Sequence, residues 1–317
     1  MADSSGVSSP AVGKTGIAGL SRWQAWALLT LACLFWAGSS VAGRAAAGHV
    51  PPMALSFWRW IIAFAIFVPL CAGALSAHRR VIAREWKILF ALGFLGIFGF
   101  SAPYYIGLKW TTALNSSLFN AVSPIMIVII TFLWFRTRVT KIQLVGVLLG
   151  VVGTVIIAAE GDWRILATLQ FNPGDLLMLV SYTSWSLYTV VLKWSPKELG
   201  HLELACLLAG VGVLCFAPFY AWEISQGLGF ELDTANIAVI LYSAIFPSFL
   251  AYVFWNLGVA AIGPNQAGYS QYLVPPFGIV LASAILGETV HDYHWVGIVA
   301  IFIGVWLATR KGSVAAH

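Results

Sequence analysis

Charged residues are scarce in this sequence. Asp, Glu, Lys and Arg make up 9% of its 317 residues, whereas soluble domains contain roughly 25% of these types. Hydrophobic residues account for 60% of the chain, and its mean hydropathy is +0.87. This composition excludes an ordinary soluble domain. It predicts an all-α protein that crosses a membrane many times, because a helix in hydrocarbon satisfies its own backbone hydrogen bonds.

Cysteines and catalytic motifs are also sparse. The four cysteines have no CxxC spacing and lie in apolar segments, so we interpret them as small packing residues and not as a disulfide or metal framework. The sequence contains no HExxH, Walker A or GxSG motif, which would indicate zinc, phosphate or serine chemistry. We therefore predict no catalytic residue, no metal and no cofactor, and we do not expect an enzyme.

Apolar segments long enough to cross a membrane are abundant. A spanning helix needs about 20 apolar residues, and we predict ten such helices. Residues 1–20 are interpreted as a disordered cytoplasmic tail without a cleavable signal peptide. The predicted spans are 23–43, 53–73, 88–108, 112–134, 140–159, 175–194, 203–222, 236–259, 265–286 and 292–309.

Positive charge is distributed unevenly among the loops. With a cytoplasmic N-terminus, 13 of the 17 Lys and Arg residues fall in cytoplasmic segments, three in outer segments and one, Arg59, within a helix. Because positively charged loops tend to stay in the cytoplasm, we predict that both termini are cytoplasmic and that the protein lies in a bacterial inner (plasma) membrane. The net charge of +5 then reflects topology, and no nucleic-acid partner is expected.

The two halves of the chain resemble each other. A shift of 149 residues places Trp36 on Trp185, and a shift of 151 matches the fourth and fifth predicted helices without a gap. Five helices per half is an odd number, so the second copy crosses the membrane with opposite polarity, as in many alternating-access transporters. We predict inverted repeats over 21–160 and 161–311. The shift of 151 matches Asn120 with Gln271, Pro124 with Pro275, Gly146 with Gly297 and Gly153 with Gly304.

The matched amide residues Asn120 and Gln271 indicate where a central binding site would lie. Asn120 shares a helix face with Ser116 and Ser123, directly before Pro124, and Gln271 also lies one turn before a proline. An unpaired amide is costly in hydrocarbon, so this pair either lines a polar cavity or forms an interhelical hydrogen bond. The adjacent prolines favour the cavity, because broken helices expose backbone groups to a bound solute.

Other positions leave alternatives open. Ser40 belongs to a face of small residues that either packs closely or lines the cavity, and Trp36 either forms an aromatic wall or faces lipid. Arg59 either serves a functional site or extends to the outer surface. Tyrosines and asparagines in the spans either contact a ligand or lie in interfacial belts, and the prolines act as hinges or as static kinks.

The candidate residues form two sets. The predicted substrate-binding residues are Trp36, Ser40, Tyr104, Tyr105, Asn115, Ser116, Asn120, Trp185, Tyr188, Tyr252, Asn256 and Gln271. The predicted gating or hinge residues are Pro103, Pro124, Pro247 and Pro275.

Several short motifs along the chain are typical of one family. They are Phe35-Trp36-Ala37-Gly38-Ser39, Trp58-Arg59, Ala113-Leu114-Asn115, Pro124, Tyr272-Leu273-Val274-Pro275, Leu286-Gly287-Glu288 and Gly297. Through these motifs the sequence resembles the EamA-type proteins of the drug/metabolite transporter superfamily over residues 23–310. The second repeat has Gly287-Glu288-Thr289 where the first has Arg136-Thr137-Arg138, so a role for that glutamate is not expected twice. The resemblance implies an exporter built from two five-helix repeats.

Within that superfamily the sequence is most similar to the YddG-type exporters of aromatic and other amino acids. This similarity implies an amino-acid or related small-molecule substrate. We also expect membrane lipid as the surroundings, and a monomer or weak dimer. None of the 12 acidic residues lies in the middle of a predicted span, so facilitated diffusion or exchange, or coupling through a group other than a carboxylate, is expected. The alternatives are a multidrug or other metabolite exporter and, from another class, a passive channel.

Overall fold

The computed structural model describes residues 20–45, 49–111, 113–137, 139–167 and 172–310. Nearly all of the predicted N-terminal tail lies outside these residues. The first half contains α1 (Arg22–Ala45), α2 (Pro52–Ala77), α3 (Arg79–Arg84), α4 (Trp86–Gly93), a π-helical segment (Phe94–Phe98), α5 (Gly99–Gly107), α6 (Ala113–Phe135), α7 (Lys141–Ala158) and α8 (Trp163–Ala167).

The second half also contains both long and interrupted helices. It contains α9 (Pro173–Val191), a 3-10 turn (Leu192–Trp194), α10 (His201–Ser225), α11 (Thr234–Ser243), a π-helical segment (Ala244–Leu250), α12 (Ala251–Ile262), α13 (Pro264–Ser270), a 3-10 turn (Gln271–Leu273), α14 (Val274–Leu286) and α15 (Asp292–Thr309).

The described residues are helical and include no strand, as predicted. Seven helices in this part of the chain are long and apolar enough to cross a membrane, which confirms a polytopic membrane protein. The number of ten crossings, the repeat and the cytoplasmic termini stay predictions. The seven helices are Pro52–Ala77, Trp86–Gly107, Lys141–Ala158, Pro173–Trp194, His201–Ser225, Thr234–Ile262 and Asp292–Thr309.

Local sequence explains several helix ends. Capping boxes begin α7, with Thr140 and Gln143, and α9, with Asn172 and Asp175, so each satisfies backbone N–H groups that have no partner within the helix. Helix α14 ends at Gly287, whose φ of 69° is left-handed and favours glycine at this position.

Two carboxylates fasten α10 to α2, which runs antiparallel to it. Glu223 accepts from the backbone N–H groups of Met53 (3.1 Å) and Ala54 (2.8 Å) at the start of α2. Glu203 lies 2.7 Å from Nδ1 of His78 just beyond the end of α2. Both carboxylates are buried. Glu223 satisfies terminal backbone N–H groups of a different helix, whereas Glu203 contacts the imidazole of His78.

Glycines allow α7 and α15 to approach at backbone distance. A Cβ atom at Gly153 would lie 2.6 Å from the carbonyl oxygen of Gly297, and one at Gly304 would lie 2.7 Å from that of Gly146. All four glycines belong to the pairs that the shift of 151 residues matches in the sequence. The structure places them in a contact between two helices of one chain, as small residues permit in membranes.

Candidate substrate-binding site

Aromatic side chains from both halves of the chain meet in the interior. Trp36 of α1 contacts Trp185 of α9, with ring centroids 5.1 Å apart, and Trp255 of α12 at 5.3 Å. Tyr252 lies 5.7 Å from Trp185, and Tyr188 lies 5.1 Å from the same indole. We call Trp36, Trp185, Tyr188, Tyr252 and Trp255 the central aromatic cluster. Four of these five residues were predicted to bind substrate.

The two π-helical segments supply backbone acceptors to this cluster. The indole Nε1 of Trp36 donates to the carbonyl oxygen of Pro247 at 3.2 Å, and the hydroxyl of Tyr252 donates to the carbonyl oxygen of Gly96. Both acceptors lie inside π-helical segments, where the regular α-helical pairing is interrupted. Such segments often occur at functional sites, and here they fix the orientation of two central rings.

Pro247 lies inside the π-helical segment Ala244–Leu250 and contributes directly to this interruption of the α-helix. Proline has no backbone N–H, so the carbonyl of Ser243, four residues earlier, loses its α-helical donor. The hydroxyl of Ser248 donates to this carbonyl at 2.8 Å. A local side chain therefore satisfies the freed backbone group, as is required at membrane depth.

The other predicted hinge prolines lie in two kinds of surroundings. Pro275 is at the start of α14, immediately after the 3-10 turn Gln271–Leu273. Pro103 and Pro124 lie within α5 and α6, and both helices continue through them. The break that we predicted at Pro124 is therefore not present, since neighbouring helices tolerate one lost backbone hydrogen bond in a long packed helix.

Several buried donors, some of them in or beside the cluster, have no partner among the described residues. These donors are the indole nitrogens of Trp60 and Trp255 and the amide nitrogens of Asn256 and Gln271. The side-chain oxygen of Asn256 is occupied, because it accepts from the Tyr188 hydroxyl at 2.5 Å. Hydroxyls of Ser56 and Thr189 and the side-chain oxygen of Asn265 are also unpaired there. Buried polar groups are normally satisfied, so this surplus of donors favours a ligand with acceptor atoms.

The remaining predicted binding residues lie on neighbouring elements. Tyr104 joins the cluster through Phe100, whose ring centroid is 5.6 Å from that of Tyr104 and 5.5 Å from that of Trp185. Asn120 is partly buried in α6, and Gln271 is buried in the 3-10 turn that packs against α6. The side chains of Ser40, Asn115 and Ser116 lie outside what the structure describes.

Arg59 is buried within the protein, and its side chain has 7% of its surface exposed. Its Nη1 donates to the Tyr105 hydroxyl at 3.1 Å, and its Nη2 donates to the Ser101 hydroxyl at 3.2 Å. The guanidinium carbon lies 5.5 Å from the centre of the Trp60 ring, which is within the range of a cation–π contact. The structure therefore places Arg59 against α5 and not at an outer surface.

The sequence did not single out every residue of this region. Trp60 packs edge-on against Tyr252 with centroids 4.8 Å apart, and Trp255 completes the cluster. Both are tryptophans in apolar helices, and the sequence contains 15 tryptophans. The pattern in a helix that is apolar on all sides does not show which tryptophans face inward.

The buried carboxylates are engaged at helix ends and not in the cluster. Besides Glu203 and Glu223, Asp175 accepts from the Thr111 hydroxyl and from the backbone N–H of Asn172. The described residues include no group of three or more His, Cys, Asp or Glu side chains suited to a metal ion. The surroundings of the cluster therefore favour a ligand with aromatic or apolar surface and acceptor atoms.

These observations define a polytopic helical membrane protein with a buried aromatic interior and spare hydrogen-bond donors. The sequence matches the EamA-like transporter family over residues 23–159 and 172–310. The chain therefore belongs to the EamA-like transporter family. The family and its relatives are transporters, which confirms the prediction that the protein is not an enzyme.

Relatives of similar length support this assignment. The uncharacterized transporter YyaM of Bacillus subtilis is 24% identical over 265 residues, which is 83% of this chain and 86% of that protein. An uncharacterized transporter of Archaeoglobus fulgidus is 27% identical over 291 residues, or 90% of this chain and 96% of that one. A probable terminal-alkyne amino-acid exporter of Streptantibioticus cattleyicolor is 26% identical over 291 residues, or 90% and 93%.

The fold also resembles that of a solved crystal structure. The TM-score is 0.73 at 20% sequence identity, and the match covers 91% of this chain and 97% of that chain. At this identity the likeness is evidence for the fold alone.

Proposed function

We propose that the protein exports amino acids, with aromatic and other neutral amino acids favoured. The observation that carries this proposal is the central aromatic cluster with the unpaired amide nitrogen of Asn256 and the unpaired indole nitrogens of Trp60 and Trp255 in or beside it. Ring faces and edges suit an apolar or aromatic side chain and attract an ammonium group modestly. Amide and indole N–H groups suit a carboxylate, because each can donate to it.

The mechanism that we propose is alternating access between two inverted five-helix repeats, 21–160 and 161–311. Corresponding helices carry π-helical segments at Phe94–Phe98 and Ala244–Leu250. The contacts of Gly146 with Gly304 and of Gly153 with Gly297 relate the halves in the way that a two-fold axis would. These correspondences support a pathway between the repeats, as in other inverted-repeat transporters.

The amino-acid assignment has support from one relative, which is named a probable terminal-alkyne amino-acid exporter. The preference for aromatic substrates, as in YddG-type exporters, rests on the tryptophans and tyrosines of the cluster. We further propose facilitated diffusion or exchange, because the buried carboxylates of the described chain are bonded at helix ends and intramembrane proton carriers are usually carboxylates.

Counterflow in liposomes tests this function. Purified full-length protein is reconstituted with unlabelled tryptophan inside, and the entry of labelled tryptophan is measured. We expect saturable counterflow that persists when an ionophore abolishes the proton gradient. Absence of amino-acid counterflow would overturn the assignment, and entry that does not saturate would indicate a passive channel. Counterflow of drug cations but not of amino acids would indicate a multidrug exporter.

A pair of tryptophan variants localises the activity. Trp185→Leu removes the ring that contacts every other member of the cluster, so we expect counterflow to fall about tenfold or more, as after loss of a well-packed aromatic contact. Trp222→Leu changes a peripheral side chain that is 60% exposed and is the matched control. Equal counterflow by both variants would place the pathway elsewhere.

A further inference from the structure

We propose that Arg59 binds the carboxylate of the transported molecule, so that the protein takes aromatic monocarboxylates, amino acids among them, and rejects the corresponding amines. This inference rests on the proposed function and specifies its substrate class. It assigns a binding role to a side chain that lies beside the central aromatic cluster and outside it.

The first argument is the burial of an unpaired charge. Arg59 lies in α2, about two turns after its start at Pro52, and has 7% of its surface exposed. Its two side-chain hydrogen bonds go to the neutral hydroxyls of Tyr105 and Ser101, and no carboxylate of the described chain lies within 4.0 Å of it. A buried arginine without a counter-ion is costly, and such residues in membrane helices mark substrate or ion pathways.

The second argument is the unused donor capacity of the guanidinium. It has five N–H groups in a planar fork, of which Tyr105 and Ser101 accept one each. The Nε atom is buried and has no partner in the described part of the chain. A carboxylate accepts two parallel N–H bonds from such a fork, which gives both charge compensation and a defined orientation.

The third argument is that the carboxylates of the protein are already engaged. Glu223 is held by the backbone at the start of α2, Glu203 lies against His78, and Asp175 accepts from Thr111 and Asn172. These contacts satisfy helix ends and would be lost if a carboxylate moved to Arg59. A carboxylate supplied by the ligand carries no such penalty.

The fourth argument is the position of Arg59 relative to the aromatic rings. Its guanidinium lies 5.5 Å from the ring centre of Trp60, and the Trp60 ring lies 4.8 Å from that of Tyr252 in the cluster. The buried indole N–H of Trp60 is itself unpaired among described residues. A ligand with one carboxylate and one ring is therefore complementary to both parts, with its carboxylate at Arg59 and its ring at the cluster.

Competition for counterflow tests the substrate class. Labelled tryptophan is exchanged across liposomes that contain the full-length protein, and two competitors are added on the outside. Indole-3-propionate has the ring and a carboxylate but no amine, and tryptamine has the ring and an amine but no carboxylate. We expect indole-3-propionate to inhibit at about tenfold or more lower concentration than tryptamine, since hydrogen bonds to a charged group contribute strongly to binding.

Substitution of Arg59 tests the residue itself. Arg59→Gln is expected to abolish the preference for indole-3-propionate over tryptamine. Arg59→Lys keeps the charge without the fork and is expected to retain part of the preference. Arg164→Gln, at an exposed position, is the matched control and should keep the wild-type preference.

Melting temperatures distinguish binding from a structural role. Because Arg59 has no counter-ion in the described chain, we expect Arg59→Met to melt at or above the wild-type temperature without ligand. Indole-3-propionate should raise the melting temperature of the wild type and not that of the Met variant. A structural Arg59 would instead give a Met variant that melts lower and is still stabilised by the ligand.

The outcomes separate this inference from the proposed function. A wild-type protein that exchanges no amino acid contradicts the proposed function. A wild-type protein that exchanges tryptophan but responds equally to both competitors contradicts only the role of Arg59, as does an Arg59→Gln variant with unchanged preference. For a variant that reconstitutes poorly into liposomes, the melting temperatures with and without indole-3-propionate test the role of Arg59 instead.

Discussion

The contact between the Tyr188 hydroxyl and the Asn256 side-chain oxygen, at 2.5 Å, is a polar interaction inside an aromatic interior. Both residues were predicted from the sequence as separate candidates for binding substrate. The structure joins them, and the hydroxyl satisfies the amide oxygen while the amide nitrogen stays unpaired among described residues. The hydrogen bond from Tyr188 therefore also fixes the orientation of the unpaired amide nitrogen of Asn256.

We expect Tyr188→Phe to destabilise the protein by about 1–3 kcal/mol, because it leaves a buried amide oxygen without a donor. Tyr220→Phe removes a hydroxyl that accepts from the Trp58 indole at 3.0 Å at an exposed site, and should cost about 0.5–1.5 kcal/mol or less. Melting temperatures of the two purified variants measure the difference. Equal shifts would show that the Tyr188 hydroxyl contributes no more than a peripheral one.

At the scale of helices, close helix–helix packing and interruptions of the α-helical hydrogen-bond pattern occur in different parts of the molecule. Helices α7 and α15 approach at backbone distance through glycines, whereas the two π-helical segments lie elsewhere and accept hydrogen bonds from Trp36 and Tyr252 of the cluster. Gly153 and Gly297 pack in the regular pair. This division suits a rigid support beside a region where helices can rearrange, because π-helical segments mark sites where the hydrogen-bond ladder changes.

Gly153→Ala is expected to destabilise the protein by about 1–3 kcal/mol through overpacking, because the added Cβ would lie 2.6 Å from the Gly297 carbonyl oxygen. Gly278→Ala in α14 is the matched control, since a Cβ there meets no atom within 4 Å. That control should be neutral or slightly stabilising, as alanine favours helix more than glycine. If the Gly153→Ala protein melts at the same temperature as the Gly278→Ala control, close packing of α7 against α15 is contradicted.

At the scale of the whole molecule, the orientation in the membrane is a prediction that rests on the distribution of charge. The predicted cytoplasmic loops contain most of the lysines and arginines, and the exposed Arg80 and Arg164 lie on opposite predicted sides. The packing of helices leaves this orientation undetermined, because the same bundle could be inserted either way. Topology therefore needs a chemical test in cells.

Single cysteines at Arg80→Cys and Arg164→Cys, in a background without the native cysteines, provide that test. We expect a membrane-impermeant maleimide to label the position at 164 in intact cells and the position at 80 only after permeabilisation. Each position serves as the control for the other, since both side chains are exposed. Labelling of the cysteine at position 80 in intact cells would contradict the predicted orientation.

Part of the site was predictable from the sequence. The apolar segments located helical structure, and tryptophans and tyrosines at matched positions pointed to Trp36 and Trp185, which the structure brings to 5.1 Å. The roles of Asn120 and Gln271 as cavity residues stay predictions. The uninterrupted helix at Pro124 was not predicted, because a proline shows only the loss of one donor and not how neighbouring helices compensate for it.

The sequence alone determined the class of protein, since the length and apolarity of segments are local properties set by the cost of an unpaired backbone in hydrocarbon. Only the tertiary structure decided that Arg59 is buried against α5, that Trp60 and Trp255 face inward, and that the glycines pack within one chain. Membrane helices are apolar on many faces, so their periodicity does not specify which face meets which neighbour. That choice depends on interhelical packing and hydrogen bonds between residues far apart in the chain.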